Sequence, residues 1–315
     1  MMVAMVLFTM ILLVIFTITQ TTGKAWKDSR SKVDAFQGAR QAFENITRSL
    51  SQATLNTYYD YFDSTGRAPR DPAYAGADHY GRQSELHFIS GKALVPGQVT
   101  HSVFFQTPAG YANDAQYQNM GTLLNACGYY VVRGPDTLRP PFLDSLPNAP
   151  ANNTRFRLMQ FLQPSEQLTV YNAPSDASWF KSPLAGNSPP VEQLTANVIA
   201  LVALPRLSTS DAAQSGDLLS PDYEYDSRNA GSSGATQSLT HNQLPALIEI
   251  IMVAIDEESA RRLEEQNLQL PSALFTQAEM IEGDLARLED FLNQNRLVYR
   301  AFRTMVPLRN SKWSS

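Results

Sequence analysis

One cysteine, Cys127, in a chain of 315 residues excludes an intramolecular disulfide and any multi-cysteine metal cluster. Free cysteine is usually buried, and its setting, Leu-Leu-Asn-Ala-Cys-Gly-Tyr-Tyr-Val-Val, reads as a strand entrance holding a small core residue. The lack of disulfides leaves export open and makes packing responsible for stability. Charge is also scarce. Asp, Glu, Lys and Arg make up 17% of the chain, against about 25% in ordinary soluble domains. A net charge of −5 without a basic face argues against nucleic acid as a partner.

Catalytic signatures are missing too. His79, His87, His101 and His241 show no spacing that places two on one helical face, so the His-Glu-x-x-His type of zinc site is absent. His87 and His101 fall in candidate strands and could face each other, though core or surface roles are the commoner use. No nucleophile elbow, phosphate loop or dinucleotide fingerprint occurs, so the chain does not read as an enzyme. Asp222, Glu224 and Asp226 place three carboxylates at alternate positions, a set that calcium could use. The glycine turn and terminal glutamate of a calcium loop are lacking. A solvated acidic loop is the other reading, and no cofactor is assigned.

Long apolar runs are rare, with one exception. Residues 1–18, MMVAMVLFTMILLVIFTI, carry no charge, and Thr9 and Thr17 alone interrupt them. As a helix they cover roughly 27 Å, close to the roughly 30 Å of a hydrocarbon core. The run lacks the basic n-region and small-residue cleavage site of a secretory signal. A transmembrane anchor over residues 1–23 is the expectation, with Val6, Phe8, Leu12, Val14 and Phe16 serving both to hold the chain in the bilayer and to pair with neighbouring helices in assembly.

Beyond the anchor, Trp26, Val33, Phe36, Ala39, Phe43, Ile46, Leu50 and Ala53 are spaced by 7, 3, 3, 4, 3, 4 and 3, which is one face of an α-helix. No proline precedes Pro69, and Gly23 and Gly38 are the glycines of the first 65 residues. The pattern predicts one helix to about residue 54, on the order of 80 Å long at 1.5 Å per residue. Its amphipathic part, 24–55, needs a surface to pack on. Trp26 is placed to act as an interfacial aromatic.

From residue 56 the sequence turns to short alternating stretches broken by Pro, Gly, Asn and Asp, the mark of strands and turns. Candidate strands are 84–90, 98–106, 128–133, 155–162, 197–204, 246–255 and 296–306; Val99, His101, Val103 and Phe105 share one face by the period of two. Helical patterns cover 256–268 and 276–293, the second opening on Thr276 and Glu279 as a capping box, while Asp256, Glu257 and Glu258 suit a helix N-terminus. Residues 208–244, rich in Ser, Gly, Asp and Asn, read as a long exposed loop. The fold class expected is α+β, a long N-terminal helix on a mainly antiparallel β-sheet head spanning 56–315.

An apolar helix running unbroken into an amphipathic one, followed by a β-rich head, resembles the type IV pilin and type II secretion pseudopilin superfamily. Residues 39–53, ARQAFENITRSLSQA, are similar to the matching region of J-type minor pseudopilins and W-type minor pilins, and 244–250, LPALIEI, and 306–310, VPLRN, resemble their late strands. The pilin-like Verru_Chthon cassette protein C family is the nearer resemblance, through Gln20-Thr with Trp26, Leu50-Ser-Gln-Ala-Thr-Leu-Asn56, Arg82-Gln-Ser-Glu-Leu-His-Phe88 and 306–313. The blocks at 50–56 and 82–88 are the specific ones.

The resemblance implies a structural subunit of an envelope filament or secretion-type apparatus. Its partners would be membrane lipid and other pilin-like subunits, and its head would lie outside the bacterial inner membrane. Such precursors carry a basic leader, a glycine before the cleavage point and a glutamate at mature position five. None of this precedes Met1; a start placed too late is the expectation, a member without the processing signal the alternative. Lys24, Lys27, Arg30 and Lys32 would by the positive-inside rule hold their side in the cytoplasm, and a missing basic leader would remove that conflict. Trp26, Val33, Phe36, Phe43, Ile46 and Leu50 would pack on the head or on neighbouring helices. The competing readings are an anchored monomeric binding module working through 208–244 and an anchored hydrolase.

Overall fold

The computed structural model describes residues 2–136, 139–146, 152–172, 177–208, 219–228 and 240–311, with the side chains of 2–9, 11, 14, 23–35 and 144 outside the description. Helix α1, Met2–Ser51, runs 50 residues without a break, as a stretch free of proline allows. Among the described residues, however, no helix is long and apolar enough to cross a membrane. This overturns the transmembrane helix, residues 1–23, of the expected fold class. The reason is visible in the sequence. A span needs about 20 consecutive apolar residues, whereas Thr17 interrupts the run and Thr19, Gln20, Thr21 and Thr22 end it. Val6, Phe8 and Val14 lie outside the described side chains.

The rest of the chain makes the class α+β, with every strand pairing among the described residues antiparallel. The strands are β1 Tyr58–Phe62, β2 His79–Gln83, β3 Ile89–Gly91, β4 Gln98–Pro108, β5 Leu124–Gly134, β6 Arg155–Gln163, β7 Val191–Ala196, β8 Val198–Arg206, β9 Tyr225–Asp226, β10 Leu247–Ile255 and β11 Tyr299–Pro307. They form a hairpin β1-β2, a three-stranded sheet β11-β10-β8 and a six-stranded sheet β7-β6-β5-β4-β3-β9. Helix α2, Ser178–Leu184, covers part of the large sheet; α3, Glu257–Glu265, and α4, Ile281–Gln294, stand between β10 and β11 in sequence.

The two sheets meet where β8 packs on β4, β5 and β6, and α1 lies against β4 and β7 of one sheet and β10 and β11 of the other. The core there is apolar and closed. Val103, Phe105, Tyr129, Val131, Leu158 and the inner residues of β8 and β10 are buried together with one face of α1. Cys127 is buried in β5, and burial pushes its thiol up to about 11, which makes it a poor nucleophile. Gly128 has a steric reason to be glycine: a Cβ there would lie 2.1 Å from the Phe104 ring.

Several expectations shift. The strand predicted at 84–90 begins only at Ile89, because Asn56 holds 84–86 by hydrogen bonds instead. The capping box at Thr276 and Glu279 does not form. A short 3-10 turn, Ala278–Met280, precedes α4, whose N-cap Met280 offers no side-chain bond, and Asp284 takes the Phe275 N–H at 2.7 Å. Asp256 caps α3, accepting from the Ser259 N–H at 2.8 Å. The described part of the expected exposed loop is bound into the head: Leu219, Tyr223, Tyr225 and Ser227 are buried, and β9 pairs with β3.

Candidate assembly helix

From Phe36 to Leu50, α1 is held by the head. Ala39, Ala42, Ile46 and Leu50 are buried, Phe36 and Phe43 partly so, and the Phe43 ring meets Phe302 of β11 at 5.6 Å. All of these α1 side chains but Ala42 are ones that the helical spacing selected. Trp26 and Val33 lie outside the described side chains.

Polar bonds tie four separated stretches together around the end of α1. Asn56 Oδ1 accepts from the Ser84 hydroxyl at 3.0 Å, the Glu85 N–H at 2.9 Å and the Leu86 N–H at 3.1 Å. Arg309 N–H donates to the Ser51 carbonyl at 3.1 Å, and Asn310 Nδ2 donates to the Ala53 carbonyl at 3.1 Å. Leu308 N–H donates to the Ala246 carbonyl at 3.2 Å. The blocks 50–56, 82–88, 244–250 and 306–310, which carry the resemblance, thus converge on one joint. Hydrogen bonds of this kind contribute about 0.5–1.5 kcal/mol each, so the joint sets the direction in which α1 leaves the head.

Among the described side chains, the stretch from Met10 to Thr22 has no such cover. Met10, Leu12, Leu13, Ile15, Phe16 and Ile18 are 50–66% exposed. At about 100° per residue, these six positions point to all sides of the helix. The hydroxyls of Thr17, Thr19 and Thr21 donate to the carbonyls of Leu13, Ile15 and Thr17 at 2.6–2.8 Å. Folding a hydroxyl back onto the preceding turn satisfies it without a partner outside the helix. The segment therefore presents little but hydrocarbon.

The candidate cation residues do not converge. Asp222 and Glu224 face solvent, and the Asp222 carboxylate accepts its neighbour's Glu224 N–H at 3.2 Å. Asp226 turns inward. Trp179 Nε1–H donates to His87 Nδ1 at 2.9 Å, which places the His87 proton on Nε2, where it is 2.7 Å from Asp226 Oδ1. Among the described residues, no group of three or more His, Cys, Asp or Glu is placed to hold a metal ion. His101 does not meet His87. It is buried, with Nε2 3.0 Å from the Phe275 carbonyl, and burial lowers its pKa to about 3.

Fold and helix together describe an antiparallel α+β head on a helix whose described apolar stretch, Met10 to Ile18, is exposed. Comparison of the chain with protein-family models, with curated proteins and with solved structures finds no match.

Proposed function

We propose that the chain is a structural, pilin-like subunit that assembles with other subunits through the exposed apolar stretch of α1. The observation carrying this reading is that Met10, Leu12, Leu13, Ile15, Phe16 and Ile18 lie exposed on all sides of the helix. A helix that is apolar all round is stable only when surrounded, and contiguous exposed hydrocarbon marks an interaction site.

Magnitudes choose between a pair and a bundle. Complete burial of six such side chains is worth roughly 9–18 kcal/mol at about 1.5–3 kcal/mol each, while association costs about 4–15 kcal/mol. One neighbour covers one side of the helix and leaves little surplus. Several neighbours around each helix give the full term, which is the arrangement of a fibre with helices at its centre.

Sedimentation velocity on the full chain tests the reading. Concentration-dependent growth beyond a dimer is expected for the natural sequence, and its loss for Leu12→Asp and Phe16→Asp with the head still folded by circular dichroism. A chain that stays monomeric throughout, or assemblies that tolerate both charges, would sink the proposal.

A further inference from the structure

The outer face of the six-stranded sheet is closed at one end and forms the floor of a groove at the other, where Tyr130 and Met159 keep only 5–6% of their surface exposed. Cross-strand register places Tyr130 opposite Met159, and Val132 opposite Arg157, on the same face as Gly128 and Phe104 by the period of two. At the Phe104 end, α2 closes the face, stacking Phe180 on the Phe104 ring at 4.0 Å. The helix stops at Leu184. Beyond it the face opens into a groove of about 1140 Å³, walled by the loop 92–97, residues 133–136 and residues 273–276. Tyr130, Val132, Met159, Leu184 and Val191 supply its apolar lining.

Four cations, Lys92, Arg133, Arg157 and Lys181, line the same groove, against one carboxylate, Asp136. This runs against a chain whose net charge is −5. Lys92 also feels the carboxylates of Asp284, Glu224 and Asp222, so the other three matter more. Arg157 is nine-tenths buried, yet its guanidinium donates only to neutral backbone carbonyls, those of Gly134, Arg155 and Asn153. Arg133 donates to the Gln269 side chain at 2.9 Å and lies over the Phe156 ring. Among the described residues, Arg133, Arg157 and Lys181 have no carboxylate within ion-pair distance. Arg157 feels the Asp136 charge only at longer range; a buried guanidinium without a contacting counter-charge is costly, and a ligand anion would answer it.

We propose that this groove binds an amphiphilic organic anion, a small molecule with an apolar body on Tyr130, Val132 and Met159 and a carboxylate or sulfonate among Arg157, Arg133 and Lys181. Ligand sites are mostly apolar concavities of about 300–1,000 Å³ with a few placed polar groups, and this groove has that composition at a volume slightly above that range. The exposed segment of α1 from a second copy fits it poorly. Residues 10–22 carry no charge and would leave the three cations unanswered. The proposal concerns the head alone and stands whether or not α1 assembles.

Decanoate, kept below its micelle-forming concentration, is titrated into the full chain by calorimetry. Decyltrimethylammonium serves as a control with the same tail and opposite charge. Methyl-labelled methionine spectra report where the ligand sits, since Met159 lines the groove. Decanoate is expected to bind in preference to the cation and to move the Met159 methyl signal. Lys181→Glu, at an exposed position, is expected to weaken decanoate binding by about tenfold, the size of one partly desolvated charge contact. Phe16→Ser in α1 should leave the affinity unchanged. Absence of decanoate binding, equal binding of the two amphiphiles, a Met159 signal that does not move, or insensitivity to Lys181→Glu each overturns the site.

Discussion

The two ends of α1 have similar hydrocarbon content and opposite circumstances. Between Phe36 and Leu50 the apolar residues occupy one side, and the head covers that side. Between Met10 and Ile18 they occupy every side, and the head covers none of them. One end is amphipathic because one surface receives it. The other end lacks a polar side to give to water, so intramolecular packing cannot be its purpose. The contrast separates residues that stabilise the subunit from residues that connect it to something else, and it does so within a single helix.

Substitution at the packed end sharpens that separation most. Leu50 is wholly buried between helix and sheets, and Leu50→Ala is expected to lower the stability of the head by about 2–5 kcal/mol, the usual cost of such a truncation. Chemical denaturation of the full chain, followed by tryptophan fluorescence, measures this. A loss below 0.5 kcal/mol would mean that the helix is not docked as described.

Acid should act on the head and leave the exposed stretch untouched, because residues 10–22 contain no titratable side chain. His101 is buried, its ring 4.5 Å from that of Tyr223. Its pKa falls to about 3 through burial, partly offset by the Phe275 carbonyl and aided by the Lys92 charge. The folded value lies below the ordinary value near 6.5, so between these values the unfolded chain binds more protons. Stability therefore rises with pH in that window and is lost as pH falls from about 6.5 towards 3, by up to about 1.4 kcal/mol per pH unit from this one group. Denaturation midpoints measured from pH 7 to 4 should fall for the natural chain and fall less steeply for His101→Phe. Equal slopes would remove His101 as the cause.

A smaller change of the opposite sign is expected at Gly38, where α1 passes β7. Its backbone does not occupy the left-handed region, and an added Cβ would sit 3.4 Å from the Thr195 hydroxyl, an ordinary contact. Gly38→Ala should stabilise the head by about 0.5–1 kcal/mol through helix propensity. A destabilised variant would show that the helix lies closer to β7 than it does here.

The sequence was most legible where periodicity is long. The spacing of Phe36, Ala39, Phe43, Ile46 and Leu50 named the docked face of α1, and the alternation in 98–106, 155–162 and 246–255 located strands to within two residues. Three things were hidden. The apolar run at the N-terminus satisfied a length rule for a membrane span, but its described part carries too many polar positions after Ile18 to meet the requirement. The polar composition of 219–228 suggested exposure, whereas Tyr223 and Tyr225 are core residues and Asp226 serves His87. The groove beside Arg157 was invisible because alternation tells which residues share a face of β5 and β6 but not which part of that face α2 leaves open. Its signal was the pair Arg155 and Arg157 in a strand whose other residues carry no charge, and only Arg155 makes ion pairs, with Glu257 and Glu264.

The smallest expected effect is the most discriminating one. Leu13 is 66% exposed and Phe16 62%, so a serine at either position removes hydrocarbon that already meets water in the isolated subunit. Surface changes of this kind alter stability by no more than about 0.5 kcal/mol, and the denaturation midpoint of the head should stay where it is under dilute, monomeric conditions. The same variants should weaken association at higher concentration, because each removes one of the side chains that several neighbours would bury. If Leu13→Ser or Phe16→Ser instead unfolded the head, the exposed stretch would have to fold back onto it in solution. The division of α1 into a docked end and a connecting end would then fail at its first premise.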